Sequence, residues 1–176
     1  MKKVIILLAL IFTTLSVEAQ IKRNFDGIIL GKTTKKEVKS YLSKKKHYCA
    51  EKEDGNAILS ENETSFGGVL WDGTYYCFYK DTLYRVTYTK IVKGKEKELR
   101  AKYKELREAF YKKYVKRTPK DNSNDYSPET KIKDKSTFIK LSIMNHNRRP
   151  GIKYLKLSYV DTNLENKVKK QNVDEL

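Results

Sequence analysis

The clearest pattern of hydrophobic positions lies between residues 93 and 116, where apolar side chains recur every three or four residues. Charged residues fill most of the remaining positions, and no proline interrupts the run. This period predicts an amphipathic helix over about 94–116, with one apolar stripe facing the core. The stripe consists of Leu99, Tyr103, Leu106, Phe110 and Tyr114.

A second, shorter helix is predicted over about 34–46. Thr34 and Glu37 fit a capping box, in which the hydroxyl and the carboxylate satisfy free N–H groups at the first turn. Apolar residues then follow at i, i+3 and i+4 spacing and predict a single buried stripe beneath an outer face of lysines. These residues are Val38, Tyr41 and Leu42.

Between the two helices, short runs of β-branched and aromatic residues alternate with turn signals. This pattern predicts an antiparallel meander over about 47–91. In the last strand of the meander, the alternation places Tyr84 on one face with Val86 and Tyr88, while the other face is polar. That strand is therefore predicted to be half-buried.

Two further strands, over about 136–144 and 153–160, predict a C-terminal β-hairpin that extends the sheet. The tail over 162–176 has few apolar residues and is predicted to be poorly ordered. Together the elements predict one α+β domain over 20–161. It combines an antiparallel sheet with a short capped helix, a long amphipathic helix and the final hairpin.

The first 19 residues have the pattern of a secretory signal peptide. Two lysines precede an apolar run over 4–15, and Val17 to Ala19 form a small-residue cleavage site. The apolar run is shorter than the roughly 20 residues that span a bilayer. We expect cleavage after Ala19, no transmembrane segment in the mature chain, and a secreted or periplasmic location. The junction before Gln20 resembles those of exported proteins from Bacteroidetes-type bacteria.

The segment from Ile29 to Leu42 carries apolar residues, a glycine, a threonine cap and a helix containing Glu37 and Val38. It resembles the opening of small exported helix-plus-sheet modules: the family of the outer-membrane assembly lipoprotein SmpA/OmlA and the β-lactamase inhibitor proteins. The resemblance covers about residues 25–91. It implies an α+β fold and a non-catalytic binding module, and it does not identify the partner.

The chain contains two cysteines, Cys49 and Cys77. Export to an oxidising compartment makes this even pair a candidate disulfide, provided that their strands are neighbours. The alternative is two buried thiols that act as small apolar side chains. His47 lies two residues before Cys49, but nothing nearby supplies the further ligands of a metal site.

Positive charge is the strongest signal in the composition. The chain has 38 Lys and Arg against 22 Asp and Glu, and residues 93–120 alone contain twelve basic and four acidic side chains. A basic face with tyrosines can hold lipid phosphates or acidic polysaccharide, whereas nucleic acid is not the expected partner. The alternative is a solvated lysine-rich surface without a ligand. The candidate anion-binding residues are Lys97, Lys104, Lys112, Lys113, Arg148 and Arg149.

The sequence contains no G-x-S-x-G motif and no glycine-rich phosphate loop. We therefore predict no catalytic residue, no metal and no cofactor. The leading hypothesis is an exported, non-enzymatic binding module of the bacterial envelope with a protein or anionic partner. An envelope-associated structural protein would instead show an exposed aromatic patch. A small hydrolase would show a pocket with at least two convergent titratable groups.

Overall fold

A computed structural model describes residues 20–52, 55–115, 128–146 and 149–174. The predicted signal peptide and Arg148 lie outside these residues. In the described part, the helices are α1 (Lys35–Lys44), α2 (Glu96–Phe110) and α3 (Thr162–Asp174), and a π-helical turn (Tyr111–Val115) continues α2. The strands are β1 (Asn24–Phe25), β2 (Ile28–Ile29), β3 (Cys49–Glu51), β4 (Ala57–Ser60), β5 (Thr64–Phe66), β6 (Val69–Trp71), β7 (Gly73–Tyr79), β8 (Thr82–Lys93), β9 (Glu129–Lys133), β10 (Thr137–Asn145) and β11 (Ile152–Asp161).

Seven of these strands form one sheet in the order β3-β4-β7-β8-β11-β10-β9, and every neighbouring pair is antiparallel. The pairs β1-β2 and β5-β6 form two small separate hairpins. Helices together with an antiparallel sheet confirm the α+β class.

Helix α2 packs its apolar stripe against one side of the sheet, which we call the helix face. Leu99, Tyr103, Leu106, Phe110 and Tyr114 are all buried there, as their spacing predicts. The buried Tyr103 hydroxyl is also satisfied, at 2.7 Å from the hydroxyl of Thr130 on β9. Apolar burial of this kind contributes roughly 25 cal/mol per Å² and provides the main stabilisation of the domain.

Helix α1 covers another part of the helix face with Val38 and Leu42. At its start, the carboxylate of Glu37 accepts the backbone N–H of Thr34 at 2.7 Å. Lys35 and Lys39 both bond the carboxylate of Glu51 on edge strand β3. These bonds, first that of Lys39 and then that of Lys35, lower the pKa of Glu51 to about 2, so the link between α1 and β3 persists in mild acid.

The opposite side of the sheet, the second face, is half covered by helix α3. Leu164 and Val168 pack on a cluster that includes Cys77, Tyr84 and Val160. The segment predicted to be a poorly ordered tail is therefore helical through Asp174. Leu164 and Val168, at i, i+4 spacing, lie on one side of this helix and hold it against the sheet. The carboxylate of Asp161 also accepts the N–H of Leu164 at 2.9 Å at the helix start.

A bulge changes the side-chain alternation in β8. The pairing moves from Cys77 with Arg85 to Phe78 with Leu83, so that Tyr84 and Arg85 together oppose Cys77. Tyr84 consequently packs on the second face. The prediction that Tyr84 shares a face with Val86 is wrong, because strict alternation does not anticipate an inserted residue.

Both cysteines are free, so the predicted disulfide is wrong. Strand β4 lies between their strands: Cys49 pairs with Ser60 and Cys77 pairs with Ala57. The cysteines are thus about 10 Å apart across the sheet and about 10 Å apart along it. A disulfide requires Cα atoms within about 7 Å.

We expect one of the two thiols to react in the native protein. Cys49 is exposed and Cys77 is buried, with its sulfur 3.4 Å from a guanidinium nitrogen of Arg85. Titration with a thiol reagent should therefore detect one fast equivalent natively and two in denaturant, and Cys49→Ser should remove the fast one. Two unreactive sulfurs in denaturant without reductant would contradict the free-thiol geometry.

Candidate binding face

The part of the second face that α3 leaves uncovered contains a groove of about 330 Å³. We call this part the open face. Its groove lies near the lower end of the range for small-molecule sites, roughly 300–1,000 Å³. The groove is lined by Leu59, Glu61, Asp72, Gly73, Tyr75, Thr89, Ile91, Tyr154 and Lys156.

Strand register brings these residues together from distant parts of the chain. Thr89 on β8 lies between Gly73 on β7 and Lys156 on β11. One step further along the strands, Ile91 pairs with Tyr154. Because alternate residues of a strand point to the same side, these side chains form adjacent rows on the open face.

Lys156 is the central cation of the open face. Its ammonium lies 5.5 Å from the centre of the Tyr154 ring. No carboxylate of the described residues lies within ion-pair distance of it. Burial, and then the positive charges of Arg85, Lys52 and Lys140, lower its pKa. A cation held in this way is poorly compensated by its own protein, and an anionic ligand would relieve the repulsion.

Tyr75 and Tyr154 line the groove, and another side chain already contacts the ring of each. Lys52 lies 5.7 Å from the Tyr75 ring centre, and the His146 ring is stacked on Tyr154 at 5.4 Å. Burial, and then the neighbouring Tyr154 and Glu61, raise the pKa of Tyr75. Within the described residues, neither phenol has a hydrogen-bond partner. The two hydroxyls are thus available to donate to a ligand.

Gly73 lines the groove and has no side chain that would fill it. A Cβ at this position would lie 3.5 Å from the Thr89 hydroxyl and 3.2 Å from the Ser60 carbonyl oxygen. The Thr89 hydroxyl in turn donates to the Gly73 carbonyl at 3.2 Å. A glycine inside a strand frequently marks close approach of another backbone or of a ligand.

An exposed apolar row borders the groove. Ile91 and Met144 are 47% and 43% exposed, and they flank Tyr154 on neighbouring strands. With the Tyr154 ring between them, these two side chains form an apolar row beside the groove.

The structure does not gather the predicted anion-binding residues into one patch. Lys97, Lys104, Lys112 and Lys113 are exposed on α2 and its π-helical turn, with the exposed acids Glu105 and Glu108 among them. Arg149 is exposed in the turn near the start of α2, where Gly94 donates to Gly151 at 3.3 Å. Lys112 lies fifteen residues after Lys97, or about 22 Å along the axis.

The sequence reasoning missed Lys156, Tyr154 and Gly73 as site residues. One sequence feature points to this face: polar positions alternate with core positions along β8 and β11. This alternation shows which side chains of one strand share a face. It does not show which residues of other strands lie next to them, because that depends on strand order. Only the observed pairing shows that the three residues meet.

A second groove, of about 300 Å³, lies on the helix face between β6, β8 and α2. Its lysines are already paired: Lys90 bonds Asp72 and the Leu70 carbonyl, and Lys102 bonds Glu105. This groove is therefore less suited to an anion than the open face.

The two acids that line the groove differ in their surroundings. Asp72 is held by Lys90 and by the backbone N–H of Ile91 at 2.6 Å. No hydrogen bond joins Glu61 to Tyr154 or to Lys156, so the described groove lacks a preformed nucleophile and base pair. Among the described residues, no group of three or more His, Cys, Asp or Glu is placed to hold a metal ion.

Comparisons with known protein families, curated proteins and solved structures found no match. Within the described ranges, none of the helices combines the length and the apolar character needed to cross a bilayer.

Proposed function

We propose that the chain is an exported, non-enzymatic binding module of the bacterial envelope, which holds its partner on the open face. The observation that carries this proposal is Lys156 beside the phenols of Tyr75 and Tyr154, none of them paired within the described part of the chain, in a groove bordered by exposed apolar side chains. The partner is a protein or an anionic envelope component.

Two sequence features support the export and binding parts of the proposal. The first 19 residues have the order of regions found in signal peptides, which favours cleavage after Ala19 and a secreted or periplasmic protein. The resemblance of residues 25–91 to SmpA/OmlA-like and β-lactamase-inhibitor-like modules favours a non-catalytic binding role. In those modules, an opening with a glycine, a threonine cap and a short helix precedes an antiparallel sheet.

An envelope-associated structural protein is the second candidate. The exposed Ile91 and Met144 on either side of Tyr154 favour it, because such a row can pair with the same row of a second copy. Self-association of the mature chain in sedimentation experiments, lost in Met144→Glu, would identify this function. No specific observation favours a small hydrolase.

Ile91→Glu should abolish most of the capture of envelope components by the immobilised chain over 20–176. Ile91 is half exposed at the edge of the groove, so the variant should fold, and its carboxylate would both block the groove and neutralise Lys156. The measurement compares bound material from envelope extracts at low and high salt.

Ala101→Glu is the matched control, because it adds the same charge at an exposed position on α2, away from the sheet. It should bind like the native chain. The combined reversal of Lys97, Lys104, Lys112 and Lys113 to Glu tests the helix surface directly. Capture that survives Ile91→Glu and disappears in the combined variant would transfer the function to α2.

A further inference from the structure

We infer that the groove of the open face binds an acidic polysaccharide, with Lys156 and Lys52 holding the carboxylates of adjacent sugar units. The inference rests on the proposed function, because it assigns a ligand class to the same face. It follows from three properties of the groove: its charge, its size and the hydroxyl groups that line it.

Two lysines at the groove, Lys156 in its lining and Lys52 beside it, favour an anion with more than one negative group. The lining also contains two acids: Asp72 is paired with Lys90, and Glu61 lies near Tyr75. Lys156 and Lys52 each lie over a tyrosine ring of the groove, and no carboxylate in the described residues pairs with either. Lys140, near Lys156 on the neighbouring strand β10, is by contrast paired with Glu129 at 2.6 Å. Two ammonium groups on one sheet face, neither of them paired with a carboxylate of the described residues, match the repeated charges of a polymer better than a single ion.

The lining of the groove matches sugar chemistry. A groove of about 330 Å³ is large enough for a small ligand or for a short section of a polymer. Tyr75 and Tyr154 provide phenol hydroxyls for hydrogen bonds, while Leu59 and Ile91 provide apolar walls for ring C–H groups. Gly73 leaves the floor without a side chain, so that a ring can approach the strand.

Other anionic polymers fit less well. Nucleic acid binding relies on bases stacked on open aromatic faces, but the Tyr154 ring is already contacted by His146 and Lys156. A phospholipid would need an apolar slot for its acyl chains, and this groove has only Leu59 and Ile91 as apolar walls.

The test is an NMR titration of the chain over 20–176 with trigalacturonic acid, using maltotriose as the neutral probe. We expect backbone amide shifts at Gly73, Thr89 and Ile91 with the acidic trisaccharide alone. Lys156→Met should weaken binding by about tenfold or more, because a charge-assisted hydrogen bond contributes about one decade of affinity. The variant should fold, since it removes a repelled charge from a half-buried position.

Lys36→Met is the matched control, because Lys36 is exposed on α1, away from the open face, and this variant should bind like the native chain. Equal shifts with maltotriose, equal affinity in both variants, or no binding tighter than about 1 mM would each overturn the inference. Binding to phosphatidylglycerol vesicles that depends on Lys156 would also overturn it, in favour of a lipid headgroup. Loss of envelope capture in Ile91→Glu would preserve the proposed function in all of these cases.

Discussion

Gly31→Ala should destabilise the domain by about 2–4 kcal/mol. Gly31 has a φ of +80°, and a Cβ there would lie 2.5 Å from the terminal nitrogen of Arg23 and 2.7 Å from the carboxylate of Asp161. The side chain would therefore separate this partly buried ion pair, which also connects the start of the described chain to helix α3 through the Asp161 cap. Left-handed backbone strain of about 1–2 kcal/mol adds to that loss.

Gly151→Ala separates the two contributions. Gly151 has nearly the same φ, +79°, but nothing lies within 4 Å of its ideal Cβ position. Gly151→Ala should therefore lower the free energy of unfolding only by the backbone strain, about 1–2 kcal/mol. Urea unfolding of the chain over 20–176 measures both variants. Equal losses would mean that the Arg23 and Asp161 side chains move aside at no cost.

The Arg23–Asp161 pair was not foreseeable from the sequence. The two residues are 138 positions apart, and neither belongs to a recognisable motif. Arg23 also donates to the Leu30 carbonyl at 2.9 Å and to the Thr137 hydroxyl at 2.8 Å. An arginine that bonds three separate segments results from tertiary packing, which cannot be read from the residues next to it in the sequence.

Features with a local cause were predictable. The stripe of α2 follows from a period of 3.6 residues, and Thr34 with Glu37 forms the capping box because both groups lie within one turn. The bulge at Tyr84 and the length of helix α3 were missed, because each depends on a contact with another element. Local pattern thus predicted α1, α2 and the central antiparallel strands, but not the features that depend on contacts between distant elements.

The same reasoning explains why the sequence analysis did not include the open face among its candidate sites. The twelve basic residues over 93–120 dominate the composition, yet several are paired in the structure, as Arg100 is with Glu96 and Lys102 with Glu105. The residues on either side of Lys156 in the sequence do not mark it as a site residue. Its place in the proposal comes from its neighbours on the open face and from the lack of a counter-charge among the described residues.

Leu106→Ala should cost about 2–5 kcal/mol of unfolding free energy, because it removes a side chain from the centre of the α2 stripe and leaves a cavity. Leu106 is 3% exposed and packs in the main core. Alanine is an excellent helix former, so the helix itself should persist and the loss should reflect packing alone. Urea denaturation with linear extrapolation measures the difference.

Lys104→Ala, two residues earlier on the same helix, should change stability by no more than about 0.5 kcal/mol. Lys104 is exposed and has no ion pair among the described residues. The two variants test the phase of the helix, since a rotation by half a turn would exchange their environments. Similar effects from both would show that α2 does not pack through the stripe. A large loss in Leu106→Ala alone would establish that the 3.6-residue period orients α2 on the sheet.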